Sequence, residues 1–305
     1  MPGEKHIIVV GHAALDRIYR IESFPPEPTK VRALEAIEVG GGMAANAAVA
    51  IARLGGRAEL WSRVGDDNAG AIIRAGLKAE RVDIRALETF EESRSSTSAI
   101  IVNREGERLI VGMRDTSIPA GTSWLPFERI AKAHAVLADL RWLEATRTAL
   151  TRARVEGVPT VLDADLGARE ALPGLLPLAD YAVFSAPALR EVAPGGDDME
   201  RLAWVLNLGG GLKHAGVTLG GEGYAWRQGD GTIGRQPGFA VDVVDTTGAG
   251  DAFHGAFALG IAEGRPMGEV VRRAAAAAAL KCTRLGSRAG LPDEKTLAAF
   301  LAARD

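Results

Sequence analysis

The chain opens with a short apolar run, Ile7 to Val10, and then settles into a rhythm of brief β-prone stretches separated by longer helical patterns. The stretches "AELWSRVG", "AVLADL", "PTVLDAD", "YAVFS" and "AGVTLG" are too short to be helices of ordinary length. Near-continuous apolar runs of this kind suit strands buried on both faces of a parallel sheet. Helical patterns fall at Met43 to Leu54, Asn68 to Glu80, Glu144 to Glu156, Ala252 to Glu263, Met267 to Lys281 and Glu294 to Ala303. Strands alternating with helices predict an α/β fold, doubly wound, with a mostly parallel sheet flanked by helices.

Two regions break the rhythm. Residues 14 to 38 carry the Pro-rich turn "SFPPEPTK" between extended stretches, and "SAIIVNREGERLIVG", residues 98 to 112, places two β runs around a polar turn. Together they predict a small β layer outside the main sheet, a lid. The whole chain, 1 to 305, then reads as one α/β domain with that lid attached.

Composition narrows the function classes. With 305 residues, 47% of them hydrophobic, the chain can bury a large core. Its 36 basic and 39 acidic residues leave a formal charge of -3, without the basic field that a nucleic-acid or anionic-membrane binder needs. Cys282 is the single cysteine, so neither an intramolecular disulfide nor a thiolate metal cluster is expected, and it reads as a small core residue in a reducing cytoplasm. The run Ile7 to Val10 is too short for a signal peptide or a membrane span.

Candidate chemistry gathers in two Gly-rich stretches. In "EVGGGMAANAAVAIARLGG", Gly40, Gly41 and Gly42 precede a helix whose first turns carry Asn46. Glycines admit a ligand close to the backbone and Asn offers both donor and acceptor, but a plain turn into a helix uses the same residues. In "DTTGAGD", a strand ending near Asp245 and a helix starting near Gly250 would aim the amides of Gly248, Ala249 and Gly250 at one anion. Asp251 would repel a phosphate there unless a third group lay between them. A hydroxyl under attack by phosphate is such a group, with Asp251 taking its proton and the amides stabilising the phosphoryl oxygens. The helix dipole is expected to keep Asp251 ionised, and the competing reading is an ordinary helix cap. The chain has no G-x-x-x-x-G-K-[ST], and "GHAALD" after the first strand lacks G-x-G-x-x-G.

The paired stretches "GGGMAANAAVAIARLGG", with "RVGDD" after it, and "DTTGAGDAFHGAF" resemble the signatures of the ribokinase or PfkB-type carbohydrate kinases, in order and spacing nearly from end to end. The resemblance implies a β-lidded α/β fold, ATP as donor and a sugar hydroxyl as acceptor. It implies Asp251 as catalytic base, Gly248, Ala249 and Gly250 as anion hole, and Asp16, Gly41, Gly42 and Asn46 as sugar-binding positions. "VTLGGEG" matches the nucleotide segment, which implies Thr218, Gly220 and Gly223 near ATP. Asp245 and Thr247, with the backbone of Arg284 and Gly286, match positions that in some relatives bind a monovalent cation such as K+. Many relatives carry N-x-x-E where this chain has Ser185-Ala186-Pro187-Ala188, so Mg2+ is expected to be held mainly by ATP and water.

A closer resemblance is to the sulfofructose kinases, through Leu15 to Tyr19, "VLADLRW", "TVLDAD", "VDVVDTTGAGDAFHGA" and "ALKCTRLGSRAGLPD". It implies a hydroxymethyl group of a ketohexose derivative as acceptor, with 6-deoxy-6-sulfofructose foremost, and Lys30 and Arg141 as partners of its sulfonate. One ammonium and one guanidinium fork suit an anion remote from the attacking hydroxyl. Fructose, fructose 6-phosphate, 2-keto-3-deoxygluconate, ribose or a nucleoside remain open as acceptors, as does a non-catalytic sugar- or nucleotide-binding regulator. The family also implies a homodimer joined through the lids, with neither nucleic acid nor membrane as partner.

Overall fold

The opening apolar run forms β1 (His6–Val10), which is buried on both faces: Ile7 and Val9 enter the core on one side, Ile8 and Val10 the core on the other. The computed structural model describes residues 4–167 and 169–304. The strands that follow are β2 (Ala14–Arg20), β3 (Glu35–Gly41), β4 (Arg57–Gly65), β5 (Leu87–Phe90), β6 (Ser96–Val102), β7 (Arg108–Met113), β8 (Ala135–Ala138), β9 (Thr160–Ala164), β10 (Tyr181–Ser185), β11 (His214–Thr218), β12 (Tyr224–Gln228) and β13 (Ile233–Gln236). The α-helices are α1 (Met43–Arg53), α2 (Asn68–Ala79), α3 (Leu143–Glu156), α4 (Leu172–Leu175), α5 (Ala186–Val192), α6 (Asp198–Gly209), α7 (Ala249–Ala262), α8 (Met267–Lys281) and α9 (Glu294–Ala302).

The large sheet has nine strands in the order β13-β12-β11-β10-β9-β8-β1-β4-β5. Its body is parallel, and only β12 and β13 run antiparallel to their neighbours at one edge. The chain leaves β1 toward β4 on one side and later returns beside β1 as β8. That reversal creates a crevice at the carboxyl ends of β1 and β8, the place where open α/β sheets bind ligands. One core packs α1, α2, α7, α8 and α9 on one face, and the second packs α3 to α6 on the other.

Residues 14 to 41 and 96 to 113 form the expected second layer, a four-stranded sheet in the order β3-β2-β6-β7. Three segments of helix and three short strands were not read from the sequence pattern. α6 starts with a capping box between Asp197 and Glu200, while β5, β12 and β13 span only four or five residues each. Among the described residues, no helix is long and apolar enough to cross a membrane.

Candidate active site

Two cavities meet at the N-terminus of α7. Gly248 stands just before the helix with φ 79°, a left-handed conformation that Gly adopts without steric cost. A Cβ there would also come within 2.9 Å of the Ser287 carbonyl oxygen. The helix therefore begins at Ala249, three residues earlier than the sequence pattern indicates, and Asp251 lies in its first turn instead of capping it. Of the amides expected to converge here, that of Ala249 donates to the Thr246 carbonyl at 3.2 Å and closes the turn. The Gly250 and Asp251 amides have no acceptor within the helix, as the first turn of any helix dictates.

The turn faces both ways. Thr246, Ala249 and Gly250 line one cavity, together with Thr218, Gly220 and Gly223 from the end of β11. Apolar residues close its far side, among them Val243, Ala275 and Ala279, and Cys282 also reaches it from the core edge. Thr247, Gly248 and Asp251 line the other cavity, which lies under the small sheet and is walled also by Asp16, Gly42, Asn46 and Arg141. The two cavities thus touch where Gly250 passes to Asp251.

Asp251 is half-buried and hydrogen-bonded. Asn46 Nδ2 donates to its Oδ2 at 2.8 Å, and Arg288 Nε donates to Asn46 Oδ1 at 2.8 Å. This relay joins segments from α1, α7 and the loop after α8. Burial pushes the Asp251 carboxyl up to about 7, with Asp165, Asp16 and Asp139 adding to the rise and the Asn46 bond opposing it. The expectation of a firmly ionised Asp251 is corrected accordingly. A helix terminus supplies about 0.3–1 kcal/mol, less than the roughly 1.36 kcal/mol of a single pKa unit, so burial wins.

Asp16 lies on β2 opposite Ser98 of β6 and packs against the Gly41 backbone, where a Cβ would overlap its carboxylate. Burial raises its pKa, with Ser98 and Arg288 pulling the other way. Gly42 has φ 90°, and a Cβ there would lie 2.5 Å from the His12 carbonyl oxygen, so this turn into α1 needs Gly twice over. Asp139, at the end of β8, holds the crevice together: it accepts from the backbone amides of His12 at 2.8 Å, Ala44 at 3.2 Å and Arg141 at 2.8 Å.

The remaining sequence candidates divide. Lys30 is exposed in the connection between β2 and β3 and is not among the residues that wall the cavity. Arg284 is exposed, whereas Asp245 and Gly286 are buried beneath the turn and joined by the Gly286 amide, which donates to Asp245 Oδ2 at 2.8 Å. Thr247 donates its amide to Asp245 Oδ1 at 2.8 Å and accepts from Arg108 of β7 at 3.4 Å, a link between the small sheet and the turn.

Sequence reading missed two further guanidiniums at and beside the cavity under the small sheet. Arg114 lines it beside Arg141 and donates to the Arg141 carbonyl at 3.3 Å. A neighbouring hollow shares His12, Ser96, Arg114 and Arg141 with it and adds Arg63, whose guanidinium lies 4.2 Å above the Trp142 ring. Burial foremost, then Arg141, Arg114 and Arg63, push the His12 pKa down to about 4, so the imidazole is neutral at ordinary pH. His12 Nε2 is buried with no hydrogen-bond partner among the described residues. Burial lowers Arg63 to about 10, which leaves it charged. Asp165, after β9, also lines the cavity and accepts from Ser185 at 2.6 Å.

This arrangement, a helix N-terminus between a neutral cavity and one that carries a half-buried carboxylate, is that of a phosphoryl-transfer enzyme whose donor and acceptor approach from opposite sides. Comparison with known proteins agrees. The pattern of the pfkB family of carbohydrate kinases matches residues 4–294, and the chain belongs to that family. It is 30% identical over 295 residues to the ribokinase of Bacillus subtilis, covering 94% of this chain and 96% of that one. It is also 30% identical over 310 residues to an ATP-dependent ribose-1-phosphate kinase of Halopiger xanaduensis, covering 98% of each. Among solved structures, a provisionally named ribokinase from Agrobacterium tumefaciens superposes with a TM-score of 0.94 at 38% identity, over 99% of both chains. Arabidopsis thaliana ribokinase, solved with ribose and ATP, gives 0.86 at 26% identity, over 98% of this chain and 99% of that one. The protein is an ATP-dependent sugar kinase.

Proposed function

We propose that this kinase phosphorylates a hydroxymethyl group of a sugar that carries an anionic group at its far end. The observation that supports this reading is the cluster of Arg63, Arg114 and Arg141 around neutral His12, where the acceptor cavity adjoins the neighbouring hollow. Three guanidiniums line these adjoining hollows, their charge offset in part by Asp115, Asp139 and Glu144, and their planar forks suit sulfonate and phosphate oxygens. 6-Deoxy-6-sulfofructose, to which the sequence resemblance points, shares this chemistry with hexose and pentose phosphates. Arg114 and Arg63 take the place that the sequence reading gave to Lys30.

In the reaction, the acceptor oxygen attacks the γ-phosphorus of ATP, its proton passes to Asp251, and the bond from the γ-phosphorus to the bridging oxygen breaks to release ADP. A base with a pKa near 7 is matched to this task near neutral pH. The free amides of the α7 first turn hold the phosphoryl oxygens as they pass from one cavity to the other. Thr218, Gly220 and Gly223 line the ATP side, while Asp16 and Asn46 hold sugar hydroxyls on the other. Mg2+ bound to ATP would supply neutralisation of the phosphate charge. Asp165, braced by Ser185, is the carboxylate that fits a water-mediated contact to it.

The small sheet acts as the lid of one α/β unit. Arg108, Ile110 and Gly112 of β7 line the acceptor cavity, while Leu109 and Val111 on the opposite face are 50% and 60% exposed. We place the contact of a homodimer on that apolar face, in a cytoplasmic enzyme. Sedimentation at micromolar concentration reads the dimer, and a monomer alone removes it.

The acceptor test is a rate comparison with Mg·ATP on sulfofructose, fructose 6-phosphate, ribose 1-phosphate, fructose, ribose, 2-keto-3-deoxygluconate and adenosine. A preference for the sulfonated or phosphorylated sugars supports the reading. A preference for neutral ribose or fructose overturns it and leaves the general sugar-kinase assignment standing.

A further inference from the structure

Lys281, the last residue of α8, is fully buried. Its ammonium donates to the main-chain oxygen of Asp245 at 2.7 Å and lies 3.8 Å from Asp245 Oδ2. Asp245 is the hub of the loop that leads into α7. Its carboxylate accepts from the amides of Thr247 and Gly286, and the Val244 and Asp245 amides both donate to the Cys282 carbonyl, at 2.8 and 3.1 Å. One residue group therefore ties the 244–248 loop to the 282–287 loop, and Gly248 packs directly on Ser287. Burial pulls the Lys281 pKa down while the Asp245 charge pulls it back up.

The family resemblance placed a monovalent cation on Asp245, Thr247 and the backbone of Arg284 and Gly286. The residues present do not fit a free ion there. A buried charge needs a counter-charge and hydrogen bonds, and a second cation beside Lys281 would have to share the Asp245 carboxylate with it in a poorly solvated place. An ammonium has the charge of K+ and similar size, and it is already tethered to the chain. We propose that the Lys281 side chain is the resident monovalent cation of this fold, fixing the loop that carries the α7 N-terminal amides and making added K+ unnecessary for activity.

The test compares initial rates with Mg·ATP and the best acceptor in tetramethylammonium chloride, NaCl and KCl at equal ionic strength. Thermal melting without substrate is followed in the same three salts. Wild type is expected to change its rate by less than about twofold among the salts, and its melting temperature to be the same in all three, because no specific cation binds to the folded state. Lys281→Ala is expected to be slower by on the order of tenfold in tetramethylammonium and to regain several-fold in KCl or NH4Cl, a dependence that a merely structural lysine would not create. Stimulation of wild type by KCl of roughly fivefold or more over tetramethylammonium overturns the proposal, as does a Lys281→Ala enzyme with wild-type activity in every salt. So does a variant that folds and is slow but regains nothing in KCl or NH4Cl. If the variant does not fold, the wild-type salt series decides alone. The melting series reads cation binding even if every acceptor in the panel is refused, so failure here is distinct from failure of the substrate reading.

Discussion

The two cavities that meet at α7 are built from different materials. On the side of Thr218 and Ala279 the walls are glycine, alanine, threonine and apolar side chains, so a ligand there is held mostly by backbone and by shape. On the side of Asp16 and Arg141 the walls carry three carboxylates and three guanidiniums. A neutral wall can accept a common donor without regard to what the donor will phosphorylate. A charged wall selects, because each buried group left without its partner costs free energy. On the proposed reading the difference teaches where specificity resides: chemistry sits at the helix terminus, and choice of substrate sits on one side of it.

The largest effect tests the boundary itself. Asp251→Asn should lower kcat by on the order of 10²-fold or more while ATP affinity stays similar, since the carboxylate acts chiefly in the transition state. A variant with wild-type kcat would remove Asp251 from the mechanism. Next comes the charged side. Arg114→Met or Arg141→Met should raise KM for an anionic sugar by roughly 10- to 150-fold, the equivalent of about 1.5–3 kcal/mol for a charge-assisted contact. A neutral sugar should be nearly indifferent, and equal losses on both kinds would contradict the division drawn here. On the neutral side, Ala279→Leu should intrude on the donor cavity and raise KM for ATP by about tenfold with the sugar KM unchanged. The smallest effect is a displacement along the pH axis. Because Asp251 must be ionised to take the proton, kcat/KM should rise with pH through about 7 and level off above it. The Asn46 bond favours the ionised form, so Asn46→Ala should move that limb upward by about one unit. A limb that stays in place, or moves downward, would show that Asn46 does not bear on the base.

The same contrast explains what was legible in the sequence. The α7 turn was readable because its demands are local: Gly248 supplies a left-handed φ, and Asp251 follows three residues later. The surroundings of Asp251 were not readable, since its partner Asn46 lies 205 positions away along the chain, and Arg288, which braces Asn46, lies 242 positions from Asn46. The sheet was legible from its buried runs, whereas β12 and β13, short and partly exposed at an edge, gave no comparable pattern. Arg114 carries no motif, and Arg63, although it opens "RVGDD", carries no sign there of facing a ligand. Only the crossing of β4, β7 and β8 at one crevice makes them neighbours of Arg141. Lys30 went the other way, a basic residue that resemblance placed beside the ligand and that the fold leaves exposed in a loop.

The three arginines at and beside the acceptor cavity belong to segments that share no turn, no helix and no common strand: β4, the stretch just after β7 and the stretch just after β8. Each can be exchanged by one codon change without altering the α7 motif, although Arg114 also bonds the Arg141 carbonyl. On the proposed reading, in which these arginines select the acceptor, one acceptor can be traded for another in single steps while the donor half of the enzyme goes on working unaltered.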